Sequence, residues 1–115
     1  MLTVPASVKI YLHTAAVDMR KGIDGLSGIV RGEFGDDPLD GSLYLFVNRR
    51  GDRLKILHWD GAGFWIYYRV LERGTFEVPR SAEPRQAIDA TQLAMLLGGV
   101  SLAGAARRVR YRRAC

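Results

Sequence analysis

The stretch RLKILHWDGAGFWIYYRVL, residues 53–71, decides the fold of this chain of 115 residues. Two runs of alternating side chains flank a short glycine-containing turn, a pattern typical of a β-hairpin. A loop of residues 61–63 would place Trp59 opposite Trp65. A slip by one residue would exchange the faces of one strand, and this register separates an apolar row from a mixed row most cleanly. We therefore predict this register.

In the predicted register, the two faces of the hairpin differ in chemistry. The apolar face contains Leu54, Ile56, His58, Phe64, Ile66, Tyr68 and Val70. The mixed face contains Arg53, Lys55, Leu57, Trp59, Trp65, Tyr67 and Arg69. Cations and aromatic rings together can be covered by the rest of the chain, contact a protein partner, or stack bases and pair phosphates. The residues alone leave these three interpretations open.

The remaining segments predict a small α+β domain over residues 1–106. Strands are predicted at 8–12, 43–47 and 75–79, and LYLFV (43–47) is apolar on both faces, as in a central strand. Helical spacing predicts a long helix over 18–34 capped by Asp18. A short helix, QLAMLLGG, is predicted with Thr91 as its cap and Gly98 and Gly99 at its end. We therefore expect an antiparallel sheet of four to five strands, arranged as a meander, packed by one long N-terminal helix and a short C-terminal helix.

The net charge of +5 is concentrated in the tail 107–115. The tail contributes five arginines, and the other 12 of the 17 basic residues balance the 12 acidic ones. A localised basic segment attracts phosphate backbones by releasing counterions. The predicted DNA-binding residues of the tail are Arg107, Arg108, Arg110, Arg112 and Arg113.

The sequence contains no obvious catalytic set, metal site or membrane segment. The only cysteine is Cys115, and the two histidines, His13 and His58, lack metal-ligand spacing, so neither a metal nor another cofactor is expected. We interpret His58 as a hydrogen-bonded core residue. No apolar run approaches the roughly 18 residues that span a bilayer, and no secretory signal is evident, so we expect a cytoplasmic protein.

Four segments together resemble a known family. They are VDMRKGIDGL (17–26), DPLDGSLYLFVNRRGDRLKIL (37–57), HWDGAGFWIYYRVLERGTFEVP (58–79) and TQLAMLLGG (91–99). In order and spacing they are similar to the TnpB-type accessory proteins, the second open reading frame of insertion sequences of the sixty-six type. The chain departs from the family at His58, where Tyr is frequent, and at Ile66 and Tyr67, where Leu and Trp are common. These departures keep the aromatic and apolar character and disfavour a catalytic His58.

The resemblance implies a bacterial protein encoded beside a separate DDE-type transposase and assisting transposition, with no catalytic residue to transfer. We therefore expect a non-enzymatic accessory protein whose partners are transposon DNA, the transposase, or both, and exposed rings allow a homodimer. The DNA or partner-binding face is expected to include Arg20, Lys21, Arg49, Arg50, Arg53, Lys55, Trp59, Trp65, Tyr67 and Arg69. The alternatives are an adaptor that touches only protein and a small nuclease that uses a histidine with Asp18, Asp24 or Asp60.

Deleting residues 107–115 should weaken binding to duplex DNA and flatten its salt dependence. Each phosphate contact contributes a slope of roughly −0.9 in a plot of log K against log salt, so five arginines account for a slope of up to about −4 to −5. Fluorescence anisotropy across a salt series measures both quantities. An unchanged affinity and slope would show that the tail makes no phosphate contact.

Overall fold

The computed structural model describes residues 7–79 and 81–99, which form five strands, two α-helices and one π-helical segment. The small α+β architecture expected from the sequence is therefore confirmed. In chain order the elements are β1 (Ile10–His13), α1 (Ile23–Ile29), the π-helical segment (Val30–Phe34), β2 (Leu43–Val47), β3 (Arg53–Trp59), β4 (Phe64–Val70), β5 (Arg85–Ile88) and α2 (Ala90–Leu97).

The strands form one mixed sheet in the order β4-β3-β2-β1-β5. β1 and β2 run parallel, whereas β5 pairs antiparallel with β1, and β3 pairs antiparallel with both β2 and β4. The expectation of a wholly antiparallel meander was therefore wrong. The connection from β1 to β2 contains α1, and a helical crossover of this length lets two strands lie parallel.

Both faces of the sheet are covered. Helix α1 and the π-helical segment pack on one face, which we call the α1 face, and α2 packs on the other, the α2 face. On the α1 face, Leu26, Val30 and Phe34 pack against Tyr44 and other side chains of β2 and β3. On the α2 face, the packing residues are Leu93, Leu96 and Phe76, which contact the opposite side chains of the same strands. Every residue of β2 is buried, which confirms that LYLFV is the central strand.

The helix predicted over 18–34 is shorter and irregular. α1 begins at Ile23 with Gly22 at its N-cap position, and it continues into the π-helical segment, which ends at Gly35 in the left-handed region (φ 69°). Asp18 is not the cap, because its carboxylate binds Arg20 in the preceding turn. The carbonyls of Met19 and Lys21 accept hydrogen bonds from Lys55, which holds this turn outside the helix.

Two predictions near the C-terminal helix also need correction. The segment 75–79 is not a sheet strand; its Phe76 is buried in the α2 face and its backbone N–H donates to the Gly51 carbonyl at 2.7 Å. The fifth strand is β5, whose largely polar sequence had not predicted a strand. Asp89 rather than Thr91 caps α2, through a capping box with Gln92, and the helix ends at the two glycines as predicted.

The predicted hairpin register was wrong by one residue. Trp59 pairs with Phe64 and His58 pairs with Trp65, so the turn has four residues, 60–63. As a result, the mixed face predicted from the sequence is divided between the two sides of the sheet. Its β3 cations and Trp59 lie on the α1 face, whereas its three β4 residues lie on the α2 face: Trp65, Tyr67 and Arg69.

Replacing a buried side chain of β2 should destabilise the whole domain. Leu45 is 0% exposed, and Leu45→Ala should lower the free energy of unfolding by about 2–5 kcal/mol because it removes buried methyl groups and leaves a cavity. Leu39→Ala is the matched control: Leu39 is 45% exposed, so we expect a change within about 0.5 kcal/mol. Urea unfolding followed by circular dichroism measures both. Equal effects would contradict the assigned core.

Candidate nucleic-acid interface

A groove lies where the two parallel strands end. β1 and β2 run in the same direction, so residues 14–19 and the NRRGD turn (48–52) leave the sheet at the same edge. Between them is a depression of about 460 Å³, which we call the basic groove. It is lined by Ala16, Val17, Asp18, Met19, Asn48, Arg49 and Arg50. The carboxyl ends of parallel strands are common positions for ligand binding in open sheets.

The NRRGD turn is held in shape by Asn48. Its side-chain oxygen accepts the Arg53 N–H at 3.1 Å, and its Nδ2 donates to Asp52 Oδ1 at 2.8 Å. The latter bond is the main cause that lowers the pKa of Asp52 below its usual value. Gly51 takes a left-handed conformation (φ 78°), and a Cβ there would lie 3.2 Å from Thr75 Cβ. The turn thus requires glycine at this position.

This turn presents Arg49 and Arg50 to solvent at its tip. Within the described residues, the ion pairs are His13–Glu33, Arg20–Asp18 and Arg85–Asp36. Neither turn arginine therefore forms a direct ion pair in this part of the chain. Arg50 acts on Asp52 only through a longer-range charge interaction. Two exposed guanidinium groups can bind phosphate oxygens with several hydrogen bonds each.

The opposite wall of the groove is organised by Asp18. Its carboxylate accepts the Arg20 backbone N–H at 2.8 Å and the Arg20 Nη2 at 2.8 Å. The hydrogen bond to the Arg20 side chain is the largest cause that lowers the pKa of Asp18 to about 2. Any stability from this pair is therefore fully present above pH 3.8, the usual pKa, and is lost as the pH falls through about 2. The Arg20 side chain remains 91% exposed.

Lys55 fastens the DMRKG segment (18–22) to the sheet. Its Nζ donates to the carbonyl oxygen of Met19 at 2.7 Å and to that of Lys21 at 3.0 Å. It also lies 5.4 Å from the centre of the Tyr68 ring. Hydrogen bonds from a charged donor contribute about 1.5–3 kcal/mol each. Lys55 was predicted as a contact to DNA or a partner, and the structure shows that it positions one wall of the groove.

The other predicted face residues have distinct surroundings. Arg53 is exposed and donates to the Tyr68 hydroxyl at 2.9 Å, which raises the pKa of the arginine. Trp59 packs edge-on against Phe64 with ring centres 5.0 Å apart. Both side chains lie on the α1 face of the sheet.

On the α2 face, three residues of β4 form a separate set. The rings of Trp65 and Tyr67 stack with their centres 6.0 Å apart. Arg69 Nε donates to the Leu97 carbonyl at 2.7 Å, which joins β4 to the end of α2. The structure thus brings the basic residues around the groove together and does not bring these aromatic residues to them.

The two histidines are engaged in structural contacts. His13 is buried, with Nδ1 2.7 Å from the Ala15 carbonyl and Nε2 2.9 Å from Glu33 Oε1. His58 Nδ1 lies 3.4 Å from the Ser42 carbonyl. In residues 7–79 and 81–99, no three His, Cys, Asp or Glu side chains are grouped as metal ligands, and no helix has the length and apolar character for a membrane span.

Sequence reasoning found the arginines of the groove but not the groove itself. Asn48 was not singled out, and Asp18 was assigned to a helix cap. The available signal was the position of DMRKG and NRRGD soon after two strands, but their convergence depends on the parallel pairing of β1 with β2. The predicted tail arginines, and the domain boundary at 106, lie outside the described residues.

The sequence comparison identifies the family directly. The family model described as IS66 Orf2 like protein matches residues 8–107. The chain belongs to the IS66 Orf2-like family. This membership places the chain among the accessory proteins of insertion sequences and confirms the resemblance stated above. No solved structure shows significant similarity to the chain.

Two relatives in Sinorhizobium fredii extend the same match. Uncharacterized protein y4hO is 35% identical over 100 residues, which cover 87% of both chains. Uncharacterized protein y4jC is 29% identical over 100 residues, covering 87% of this chain and 86% of the relative. The IS66 Orf2-like chain therefore matches both relatives over most of their length.

Replacing Lys55 should loosen the DMRKG segment. Lys55→Met keeps the apolar stem but loses both hydrogen bonds to carbonyls, so trypsin cleavage after Arg20 and Lys21 should accelerate about tenfold or more. Arg53→Met is the matched control, since it removes only the bond to Tyr68. Mass spectrometry of a limited digest measures cleavage at each site. Equal rates in both variants would show that Lys55 does not hold this segment.

Proposed function

We propose that this IS66 Orf2-like protein is a non-enzymatic accessory factor that binds the backbone of transposon-end DNA through the basic groove and assists the separate DDE-type transposase there. The observation that carries the proposal is the pair Arg49 and Arg50, exposed at the tip of a hydrogen-bonded turn and free of direct ion pairs within the described residues. Family membership supports the connection to transposition.

The charges around the groove favour phosphate as the ligand. The nearby carboxylates already have partners: Asp18 is bound by Arg20, and Asp52 by Asn48. The segments 18–22 and 48–53 carry five basic side chains against two carboxylates, which leaves a net charge of +3 around the groove. Binding of such a surface to DNA releases counterions and requires no particular base sequence. The tail arginines would add further phosphate contacts.

The contacts disfavour the alternative of a small nuclease. A nuclease would need a histidine or carboxylate free to move a proton beside the phosphate. His13 is bonded to Glu33 and Ala15, and Asp18 is bonded to Arg20. Asp60 accepts hydrogen bonds from the turn backbone and from Trp65 Nε1. His13, Asp18 and Asp60 thus contribute to holding the fold, and His58 lies 3.4 Å from the Ser42 carbonyl. Asp24, in the first turn of α1, is the remaining candidate.

Neutralising the two turn arginines should weaken DNA binding at all sequences alike. The double variant Arg49→Gln, Arg50→Gln should reduce the magnitude of the salt slope by about 2, because two phosphate contacts are lost. The reason is electrostatic, so random duplexes and transposon ends should be affected equally. Fluorescence anisotropy over a salt series measures the effect.

Arg31→Gln provides the control for this experiment. Arg31 is an exposed arginine of the π-helical segment and is not part of the groove lining. The Arg31→Gln substitution removes one positive charge, as each groove substitution does, but should leave the salt slope of DNA binding unchanged. A double variant that binds DNA like the unmodified protein would contradict the groove as the phosphate site. A loss in Arg31→Gln of about half that of the double variant, and so equal per charge removed, would show that overall charge, not the groove, determines binding.

A pull-down with the neighbouring transposase separates the two partner classes. The unmodified full chain is used as bait, with and without nuclease treatment of the mixture. Recovery that disappears after nuclease treatment supports joint binding to DNA, as proposed. Recovery that survives would favour the adaptor function, with direct protein contact.

A further inference from the structure

Within residues 7–79 and 81–99, no strand pairs with the outer edge of β4, which we call the free edge. We propose that two copies of this chain associate through the free edges of β4 and form one continuous ten-stranded sheet, five strands from each copy. This inference does not depend on the proposed DNA binding. It rests on the hydrogen-bond pattern of β4, on the side chains that this strand exposes, and on their self-complementary order.

In the part of the chain that the structure describes, the edge formed by β4 lacks the usual protection against strand addition. β4 has seven residues, contains no proline and carries one charged side chain, Arg69. Three of its large hydrophobic residues are exposed: Trp65 by 53%, Tyr68 by 49% and Val70 by 45%. The opposite edge, β5, has four residues and directly follows Pro84. Short length and proline block edge pairing, whereas a long edge strand with exposed apolar side chains invites it.

The backbone shows which groups of β4 are available. The Leu71 N–H donates to the Asp52 carbonyl at 2.9 Å, and the Gly63 carbonyl accepts the Asp60 N–H at 3.1 Å. The backbone N–H and C=O groups of these odd-numbered residues therefore point toward β3. Hydrogen-bonded and non-bonded pairs alternate along an antiparallel ladder. The N–H and C=O groups that point away from β3 therefore belong to the even-numbered residues Phe64, Ile66, Tyr68 and Val70.

A twofold axis at Tyr67 pairs all of these outward groups. In that register Phe64 faces Val70 of the second copy, and Ile66 faces Tyr68. Both pairs recur by symmetry, and each of the four exchanges two bonds, which gives about eight hydrogen bonds across the interface. A shift of two residues in either direction loses one pair, and a shift of one residue mismatches the outward groups. The register centred on Tyr67 is therefore the best for two identical strands.

The same register matches the side chains. Trp65 lies opposite Arg69 of the second copy, in a non-hydrogen-bonded pair, where side chains approach most closely. Arg69 is already oriented by its bond to the Leu97 carbonyl, and Trp65 by its indole bond to Asp60 at 2.7 Å. A guanidinium over an indole ring is a favourable cation–π contact. The axis thus produces two such pairs and places no like charges opposite each other.

A second copy of this chain is favoured over a different protein as the partner of the β4 edge. The sequence of β4 itself supplies both residues of each backbone pair and both residues of each Trp65–Arg69 pair. A different protein would need its own strand with a complementary order. The proposed axis is perpendicular to the sheet, so the α1 faces of both copies lie on the same side of the ten-stranded sheet.

The oligomeric state of the full chain is the first test. Sedimentation equilibrium should give twice the chain mass of 12.8 kDa. Tyr68→Pro removes one outward N–H, whereas Tyr68→Ala retains it. We expect the dissociation constant of the proline variant to exceed that of the alanine variant by at least about tenfold, a difference of about 1.4 kcal/mol. Circular dichroism of both variants checks that each is folded.

A disulfide tests the register without relying on an altered edge. In a Cys115→Ser background, Tyr67→Cys places two cysteines opposite each other across the axis, and oxidation should link the copies. Val70→Cys is the control, because residue 70 of one copy would lie about 20 Å, or six residues along the strand, from residue 70 of the other. Non-reducing electrophoresis measures the linkage.

Each remaining outcome overturns the proposal. A full chain that is monomeric excludes this dimer, and the edge is then covered by residues 100–115 or by another protein. A dimer equally stable in the proline and alanine variants uses a different surface. Linkage through Val70→Cys rather than Tyr67→Cys shows a different register.

Discussion

The structure depends on the hydrogen bonds that Asp60 makes in the turn between β3 and β4. Its Oδ1 accepts the backbone N–H of Ala62 at 2.9 Å and of Gly63 at 3.0 Å, and its Oδ2 accepts the indole N–H of Trp65 at 2.7 Å. These bonds lower the pKa of Asp60, with the backbone of Ala62 as the largest cause. A carboxylate that binds three donors fixes a turn of four residues, and the length of the turn fixes the register of the hairpin.

Two long-range contacts follow from that register. Lys55 points to the α1 face, where it binds the carbonyls of the DMRKG segment and thereby shapes the basic groove. Arg69 points to the α2 face, where it binds the end of α2 and stands two positions along the strand from Tyr67. The groove and the free edge of β4 therefore depend on the same turn, although they lie on different parts of the sheet. The turn held by Asp60 therefore supports both the proposed DNA-binding groove and the proposed dimer edge.

The sequence predicts the central strand well because its pattern is insensitive to pairing: β2 is apolar on both faces and is buried on both. It does not predict the parallel pairing of β1 with β2, since periodicity reveals which face is buried and not which strand is the neighbour. β5 was missed because Ala87 and Ile88 are its only apolar residues. The hairpin register was predicted wrongly for a physical reason. Choosing the register that best separates an apolar row from a mixed row assumes that only one face of the hairpin is buried, whereas both faces of this sheet are covered. The arginines of the groove were predictable from DMRKG and NRRGD, but their convergence required the topology.

The hairpin register is the claim on which the groove and the edge both rest, and cross-strand nuclear Overhauser effects measure it directly. In an antiparallel pair, the closest Hα–Hα contacts join residues that are opposite but not hydrogen-bonded. The structure predicts such contacts between Lys55 and Tyr68 and between Leu57 and Ile66. Contacts between Leu57 and Tyr67 in their place would show a three-residue turn. That result would move Lys55 relative to its β4 partners and contradict the account.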